Sequence, residues 1–237
     1  MNPVGIKSLR LLGAKPFMAP VRRSFLKTVE RTLNMQLVPL ETGGDKTVSD
    51  LIRQVAGERD MLLSGLEAAQ IYHTVRAVSG IEGAMAELGV FRGASSRIIR
   101  EAEPRKPLHL FDTFQGLPKP SSKDDGFHEG LYRSSLQDVQ QYLARYSDLH
   151  FHAGLFPQTS GPVRDTRFSF VHLDVDLYQG TLSGLEFFWP RMAAGGVILS
   201  HDYSTSPGVR TAFDEFFSNT VPVIPLAHSQ CLVVRLA

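Results

Sequence analysis

The chain has a single cysteine, Cys231, and a single tryptophan among its 237 residues. A lone cysteine excludes an intrachain disulfide and fits a reducing cytoplasm. No apolar run approaches the ~20 residues of a membrane span. The run after Arg10 is only Leu11-Leu12-Gly13-Ala14 before Lys15 interrupts it, too short for the apolar stretch of a signal peptide. Internal repeats and long low-complexity stretches are also missing. Net charge is a formal +1, so no nucleic-acid partner is expected for the chain as a whole. What charge there is sits unevenly. Lys7, Arg10, Lys15, Arg22, Arg23, Lys27 and Arg31 face Glu30 alone, which makes the first 34 residues +6 and the remainder −5. Such an arm can touch an acidic surface, although a solvated arm is the commoner outcome.

What is present is the balance of a globular protein, 43% hydrophobic and 21% charged, with length for one sizeable domain and an extension. Three parts are expected: a basic arm over 1–46, a helical segment over 47–80 and an alternating core over 81–237. A short helical piece near Arg22 falls in the arm. A helix starts near Val48, with Leu51, Ile52 and Val55 on one face, and a second runs over 58–78 until Ser79-Gly80 stops it. The core then alternates. Strands are predicted over 84–90, 108–111, 149–152, Phe168–Leu173 and 197–200. Helices are predicted over 95–102, 136–146, 182–191 and Pro207–Phe217. The polar loop 116–130 follows the second strand. Residues 221–226 and 231–235 read as a terminal hairpin. This rhythm implies a parallel sheet with helices on both faces.

Acidic residues close two of the apolar runs. Phe168-Ser-Phe-Val-His-Leu173 ends in Asp174-Val-Asp176-Leu-Tyr178, and Gly195-Gly-Val-Ile-Leu199 ends in Ser200-His201-Asp202-Tyr203. In open α/β sheets, ligands bind at the carboxyl edge, where both ends would lie. Asp174 and Asp176 are two apart and point the same way in an extended chain. They can share a cation or divide the work of ligand and base, with Asp202 as a third carboxylate. The plainer reading makes Asp176 a helix cap and Asp202-Tyr203 a turn.

A second pattern lies upstream. In Glu87-Leu-Gly89-Val-Phe-Arg-Gly93-Ala-Ser95 a strand ends, the chain turns, and a helix begins. Glycines admit a ligand close to the backbone, and a helix N-terminus attracts negative charge. Asp112 closes the next strand, where a carboxylate can accept from both hydroxyls of a ribose. The three-glycine dinucleotide spacing is absent, and Glu87 is a poor neighbour for a pyrophosphate. It suits an ammonium group, such as the methionine end of S-adenosylmethionine. A tight turn with a surface Glu is the plainer alternative.

Three enzyme classes use an Asp-x-Asp pair. A phosphatase of the Asp-x-Asp-x-Thr type needs it on the first strand, and here it lies on the fourth. A metal-dependent nucleotide-sugar glycosyltransferase leaves Glu87, Gly89 and Asp112 without a shared purpose. A methyltransferase gives the first two strand ends a cofactor and the last two an acceptor.

Four stretches, in this order, strengthen the third reading. They are Glu87-Leu-Gly89-Val-Phe-Arg92-Gly93, Phe111-Asp112-Thr-Phe-Gln-Gly116-Leu-Pro118, His172-Leu-Asp174-Val-Asp176-Leu-Tyr178, and Gly195-Gly196-Val with His201-Asp202-Tyr203. Together with Gly208-Val-Arg210-Thr-Ala212 they resemble the macrocin O-methyltransferase family, which includes the aminocoumarin sugar O-methyltransferases. The resemblance covers about residues 45–237. It implies a Rossmann-like class I methyltransferase fold, with a seven-stranded, mostly parallel sheet, an antiparallel C-terminal strand and an N-terminal helical extension. It also implies S-adenosylmethionine as cofactor, a divalent metal (Mg²⁺ or Mn²⁺), a small hydroxylated acceptor and a homo-oligomer. By position, Glu87, Gly89, Gly93, Ser95, Asp112 and Gly154 fall to the cofactor, Asp174, His201 and Asp202 to the metal, and Asp176 to the general base. One departure stands out: the family usually has two adjacent acids before the tyrosine, and the first is here His201. Imidazole suits Mn²⁺ or Zn²⁺ better than Mg²⁺, and a second base or simply a hydrogen-bonded strand-end residue are the alternative readings of His201.

Overall fold

A computed structural model describes residues 46–236. The basic arm and the helical piece near Arg22 lie outside the described residues, apart from Lys46, which opens the first helix.

Helix α1 (Lys46–Glu58) buries Val48, Ile52 and Val55 along one stripe, as its spacing predicts. The second helix differs from expectation. Instead of running on from Glu58, the chain breaks, and α2 spans Gly65–Ala77. The cause is local. Ser64 is the N-cap, its hydroxyl accepts from the Glu67 N–H, and the Glu67 carboxylate accepts from the Ser64 N–H. This reciprocal pair satisfies two donors that a helix start leaves open, so it fixes where α2 begins. Residues 59–63 become a strap between the helices.

The core alternates as predicted: β1 (Ala84–Leu88), α3 (Ala94–Ala102), β2 (Leu108–Asp112), α4 (Leu136–Leu143), β3 (Leu149–Ala153), β4 (Phe168–Leu173), α5 (Tyr178–Phe188), β5 (Met192–Ser200), α6 (Pro207–Phe217), β6 (Ile224–Pro225) and β7 (Cys231–Val234). The sheet order is β3-β2-β1-β4-β5-β7-β6. β1 to β5 pair in parallel, and β7 inserts antiparallel between β5 and β6. Side chains alternate between two cores. Leu108, Leu110 and Phe170 join α1 to α4 on one face, while Phe111, Val171, Leu173 and Phe188 pack with α5 and α6 on the other. Phe187 and Trp189 pack against the second core, as their sequence context suggests. Order reverses between β1 and β4, so the crevice that doubly wound sheets use for ligands opens above their carboxyl ends.

Helix α5 starts four residues earlier than predicted. Its N-cap, Leu177, has no capping side chain. Asp124, from the loop after β2, supplies one by accepting from the Tyr178 N–H at 2.6 Å.

One edge of the sheet carries a titratable ladder. His109 on β2 stacks on His150 of β3 at 4.8 Å between ring centroids, and its Nδ1 lies 3.1 Å from His152 Nε2. Burial, then the nearby His150 and His152, depresses His109 to about 4, against a smaller opposing pull from Asp148; His152 is lowered for the same leading reason. A histidine held neutral in the folded state makes the unfolded chain the better proton binder as pH falls. Stability is therefore expected to drop between pH ~6.5 and ~4, with no contribution from this ladder above that window. Urea midpoints at pH 7.5 and 5 check this, and His109→Gln should flatten the drop. Parallel losses in both proteins would place the acid sensitivity elsewhere.

Candidate active site

A cleft of about 350 Å³ opens above the ends of β1, β2 and β4. Its size falls at the lower end of small-molecule sites. Gly89, Val90, Phe91 and Ser95 wall one side, Asp112, Gly154, Leu155 and Phe156 another, and Asp174, Asp176, His201 and Asp202 the far end. The two sequence patterns thus meet in one cavity. The 59–63 strap crosses its mouth, tied to the core by ion pairs from Arg59 to Asp138 and from Arg92 to Asp60. Asp60, Met61, Leu62 and Leu63 line it from there.

The cofactor half is built mainly by backbone. Asp112 stitches it together: Oδ2 accepts from the Val90 and Phe91 N–H groups at 2.8 Å each, and Oδ1 from Phe114 N–H at 2.6 Å. A carboxylate offers about four lone-pair sites. Three are taken, which leaves Asp112 about one free acceptor position at the cleft. Gly89, at φ +93, passes so close to β4 that a Cβ would fall 1.7 Å from the Asp174 carbonyl oxygen.

Two of the residues expected at the cofactor stand outside the cleft lining. Glu87 does not line the cleft. It is fully buried, accepts from the Ser96 hydroxyl and lies 3.0 Å from His172 Nδ1, so its carboxylate braces α3 and β4 behind the wall. Gly93 is the N-cap of α3, but its close approach is to α4, since a Cβ there would meet Val139 and then Leu143 and Tyr142. It too lies outside the lining.

The acidic half is one bonded cluster. His201 is its hub. Nδ1 lies 2.8 Å from Asp202 Oδ2 and 3.4 Å from Asp174 Oδ1, while Nε2 faces Glu67 Oε1 at 3.3 Å. Burial alone would depress this imidazole, but the Asp174 charge, the bond to Asp202 and the close Asp174 and Glu67 carboxylates win, and its pKa is raised. Burial would likewise raise Asp174, but the charge and hydrogen bond of His201 outweigh it and the net direction is down. Asp176 has no such partner. Burial, then the Asp174 and Asp202 charges, pushes it up to about 8. The two carboxylates after β4 are therefore differentiated: His201 holds Asp174 ionised, and Asp176 is poised near neutral pH. Divergent environments of this kind mark acid–base assignments. Ligand atoms of Asp174, His201 and Asp202 also lie within 4.8 Å of one another, a donor set that can hold a cation.

Two residues at the site escaped the sequence reading. Glu67 comes from α2, and its signal was the Ser64-x-x-Glu67 capping spacing. Tyr132 lines the cleft from the end of the polar loop and meets Phe91 edge-on at 6.0 Å. Its hydroxyl pKa is raised by burial and by Asp176, Asp202 and Asp174. The loop closes on itself at its neck, where Leu117 N–H donates to Leu131 O and Gly130 N–H to Leu117 O. Gly116, Leu117 and Pro118 line the cleft. Lys123 and Asp124 instead fasten the tip to α6 and α5 through Glu215 and the Tyr178 N–H. Tyr178 bonds Glu215 and Tyr203 packs on Phe213, and neither reaches the cleft.

Comparison with known proteins gives the family and the fold. The family model of macrocin-O-methyltransferase (TylF) matches residues 60–229. The 8-demethyl-8-(2,3-dimethoxy-alpha-L-rhamnosyl)-tetracenomycin-C 4'-O-methyltransferase of Streptomyces olivaceus is 28% identical, over 53% of this chain and 54% of that protein. The mycinamicin III 3''-O-methyltransferase of Micromonospora griseorubida is also 28% identical, over 58% and 61%. The chain spans little more than half the length of these relatives. Among solved structures, the O-methyltransferase NovP aligns with a TM-score of 0.69 at 20% identity, over 81% of this chain and 98% of that one. The calicheamicin methyltransferase CalS11 aligns at 0.61 and 18%, over 84% and 94%. Identities this low establish the Rossmann-like class I fold alone. With the family model matching well over half its length, the chain belongs to the macrocin-O-methyltransferase family.

Proposed function

We propose that this chain is an S-adenosylmethionine-dependent O-methyltransferase acting on a hydroxyl of a sugar or similar polyhydroxylated natural product. The observation that carries the reading is one shared cleft: the turn after β1 faces, across the same cavity, a carboxylate poised near neutral pH. The named relatives methylate rhamnosyl-tetracenomycin and mycinamicin, which supports a glycoside acceptor. The Asp174–Asp176 pair by itself would also suit a nucleotide-sugar glycosyltransferase. Family membership and the cofactor turn in the same cavity speak against that alternative.

When bound, S-adenosylmethionine supplies a methyl group already activated on a sulfonium, so the protein's work is mainly placement. The open first turn of α3, with Ala94 and Ser95 at the wall, and the last lone pair of Asp112 are positioned to hold it. Asp176 takes the acceptor's hydroxyl proton. Burial and, without a cation, the Asp174 and Asp202 charges raise its pKa, which makes its ionised form a stronger base than an exposed carboxylate. A divalent cation on Asp174, Asp202 and His201 would make that hydroxyl more acidic. Phe91, Tyr132 and Leu117 keep water from the reacting atoms.

Thermal denaturation with S-adenosylhomocysteine and with UDP tests the reading. A ligand at about 100 times its Kd adds about 2.7 kcal/mol to the folded state, a rise of roughly 5–11 °C in Tm for a domain this size. S-adenosylhomocysteine is expected to produce such a rise and UDP none. Asp112→Ala, which removes three bonds beneath the cofactor, is expected to abolish most of it. A rise with UDP alone would revive the glycosyltransferase.

A further inference from the structure

Glu67 holds its place by more than helix capping. It is 4% exposed. Oε2 accepts from Ser64 N–H at 2.8 Å, and Oε1 accepts from the Ser229 hydroxyl at 2.7 Å and the Ser229 N–H at 3.2 Å. Three donors from two segments fix the carboxylate. The same Oε1 stands 3.3 Å from His201 Nε2, a buried ring nitrogen that makes no hydrogen bond among the described residues and has this carboxylate as its ion-pair neighbour. On the opposite side of the ring, Nδ1 points to Asp202 at 2.8 Å and Asp174 at 3.4 Å. When a carboxylate takes one N–H of an imidazole, it fixes the tautomer and aims the second nitrogen, which is how proteins orient histidines toward a cation.

We propose that Glu67 is a positioning residue that commits His201 Nδ1 to the Asp174–Asp202 pair and so biases the cation preference of that centre toward Mn²⁺ over Mg²⁺. The proposal rests on reading Asp174 and Asp202 as cation donors. Its chemical basis is the donor set. Carboxylates alone suit a hard ion such as Mg²⁺, whereas an imidazole adds affinity for borderline ions. The proposal also gives α2 a second task. A helix that packs on the core through Ile71 and Val75 brings a carboxylate to a centre otherwise built on β4 and β5.

Calorimetric titration of the full chain with MnCl₂ and with MgCl₂ tests it, using wild type, Glu67→Gln, Glu67→Ala and His201→Asp. Wild type is expected to bind Mn²⁺ at least about tenfold more tightly than Mg²⁺. Glu67→Ala should lose about 10–100-fold in Mn²⁺ affinity. Glu67→Gln keeps an acceptor for the ring and should fall between the two. His201→Asp restores an all-oxygen set and should narrow the preference. Glu67→Gln also guards against a folding artefact, because its S-adenosylhomocysteine affinity should match wild type while its Mn²⁺ affinity does not. Mn²⁺ binding unchanged in both Glu67 variants overturns the proposal, as does a wild type that binds Mg²⁺ as tightly as Mn²⁺ or binds neither. Failure of wild type to bind S-adenosylhomocysteine would count against the methyltransferase reading and leave the ion comparison intact.

Discussion

Asp176→Asn is expected to lower the turnover of methyl transfer by about 10²–10⁴-fold, the usual contribution of a positioned general base. S-adenosylhomocysteine binding should be unchanged, because the cofactor wall is built from the turns after β1, β2 and β3. Asparagine keeps the size of the side chain and tolerates the left-handed backbone at this position, φ +60. What it removes is the proton acceptor. The variant should also gain stability, since a carboxyl raised to about 8 by burial and by Asp174 and Asp202 is held at a cost above its ordinary range. That cost grows as pH rises from ~4 and levels off above ~8, so the gain should be larger at pH 8.5 than at pH 5. Single-turnover rates and urea midpoints measured on one preparation check both statements. Full activity on the true acceptor would remove Asp176 from the mechanism.

Gly89→Ala should be the most damaging single methyl group in the core. The added carbon would lie 1.7 Å from the Asp174 carbonyl oxygen and 2.7 Å from its carbon, both backbone atoms that no rotamer change can move. Relief requires parting β1 from β4 where Asp174 N–H donates to Leu88 O at 2.8 Å. The positive φ adds roughly 1–3 kcal/mol of strain, and the lost bond with its stranded partners about 1–3 kcal/mol more. A Tm lower by about 5–20 °C is expected, with loss of S-adenosylhomocysteine binding, because the opened strands carry both Asp174 and the cofactor turn. Calorimetric melting would show it; an unchanged Tm would mean that the strand ends yield freely.

The alternation of strands and helices was legible from the sequence because buried apolar runs here end in turn residues and acids. Phe168–Leu173 and Pro207–Phe217 are found where expected. The direction of Glu87 was not legible. All five residues of β1 are buried, as a central parallel strand requires, so no alternation marks the face on which each side chain lies. The partner of Gly93 was equally hidden, since a glycine reports close approach but not what approaches. The start of α5 depends on Asp124, a residue distant in sequence, and no local signal carries it. His201 was recognised as a departure from the family pattern. Its contact with Glu67 was not legible, because capping chemistry could locate that residue at a helix start but not against a strand end.

Nine non-glycine residues among those described have positive φ, and four of them, Phe91, Tyr132, Asp176 and Asp202, line the cleft. Aspartate accepts this geometry with little cost, but a bulky aromatic does not. The cleft is thus the place where heat resistance and turnover compete most directly. Glycine at Phe91 or Tyr132 would relieve roughly 1–2 kcal/mol of backbone strain, partly offset by the freer unfolded chain. A selection for thermal endurance alone would be drawn to these positions, and each gain would strip away part of the cleft wall that Asp176 shares.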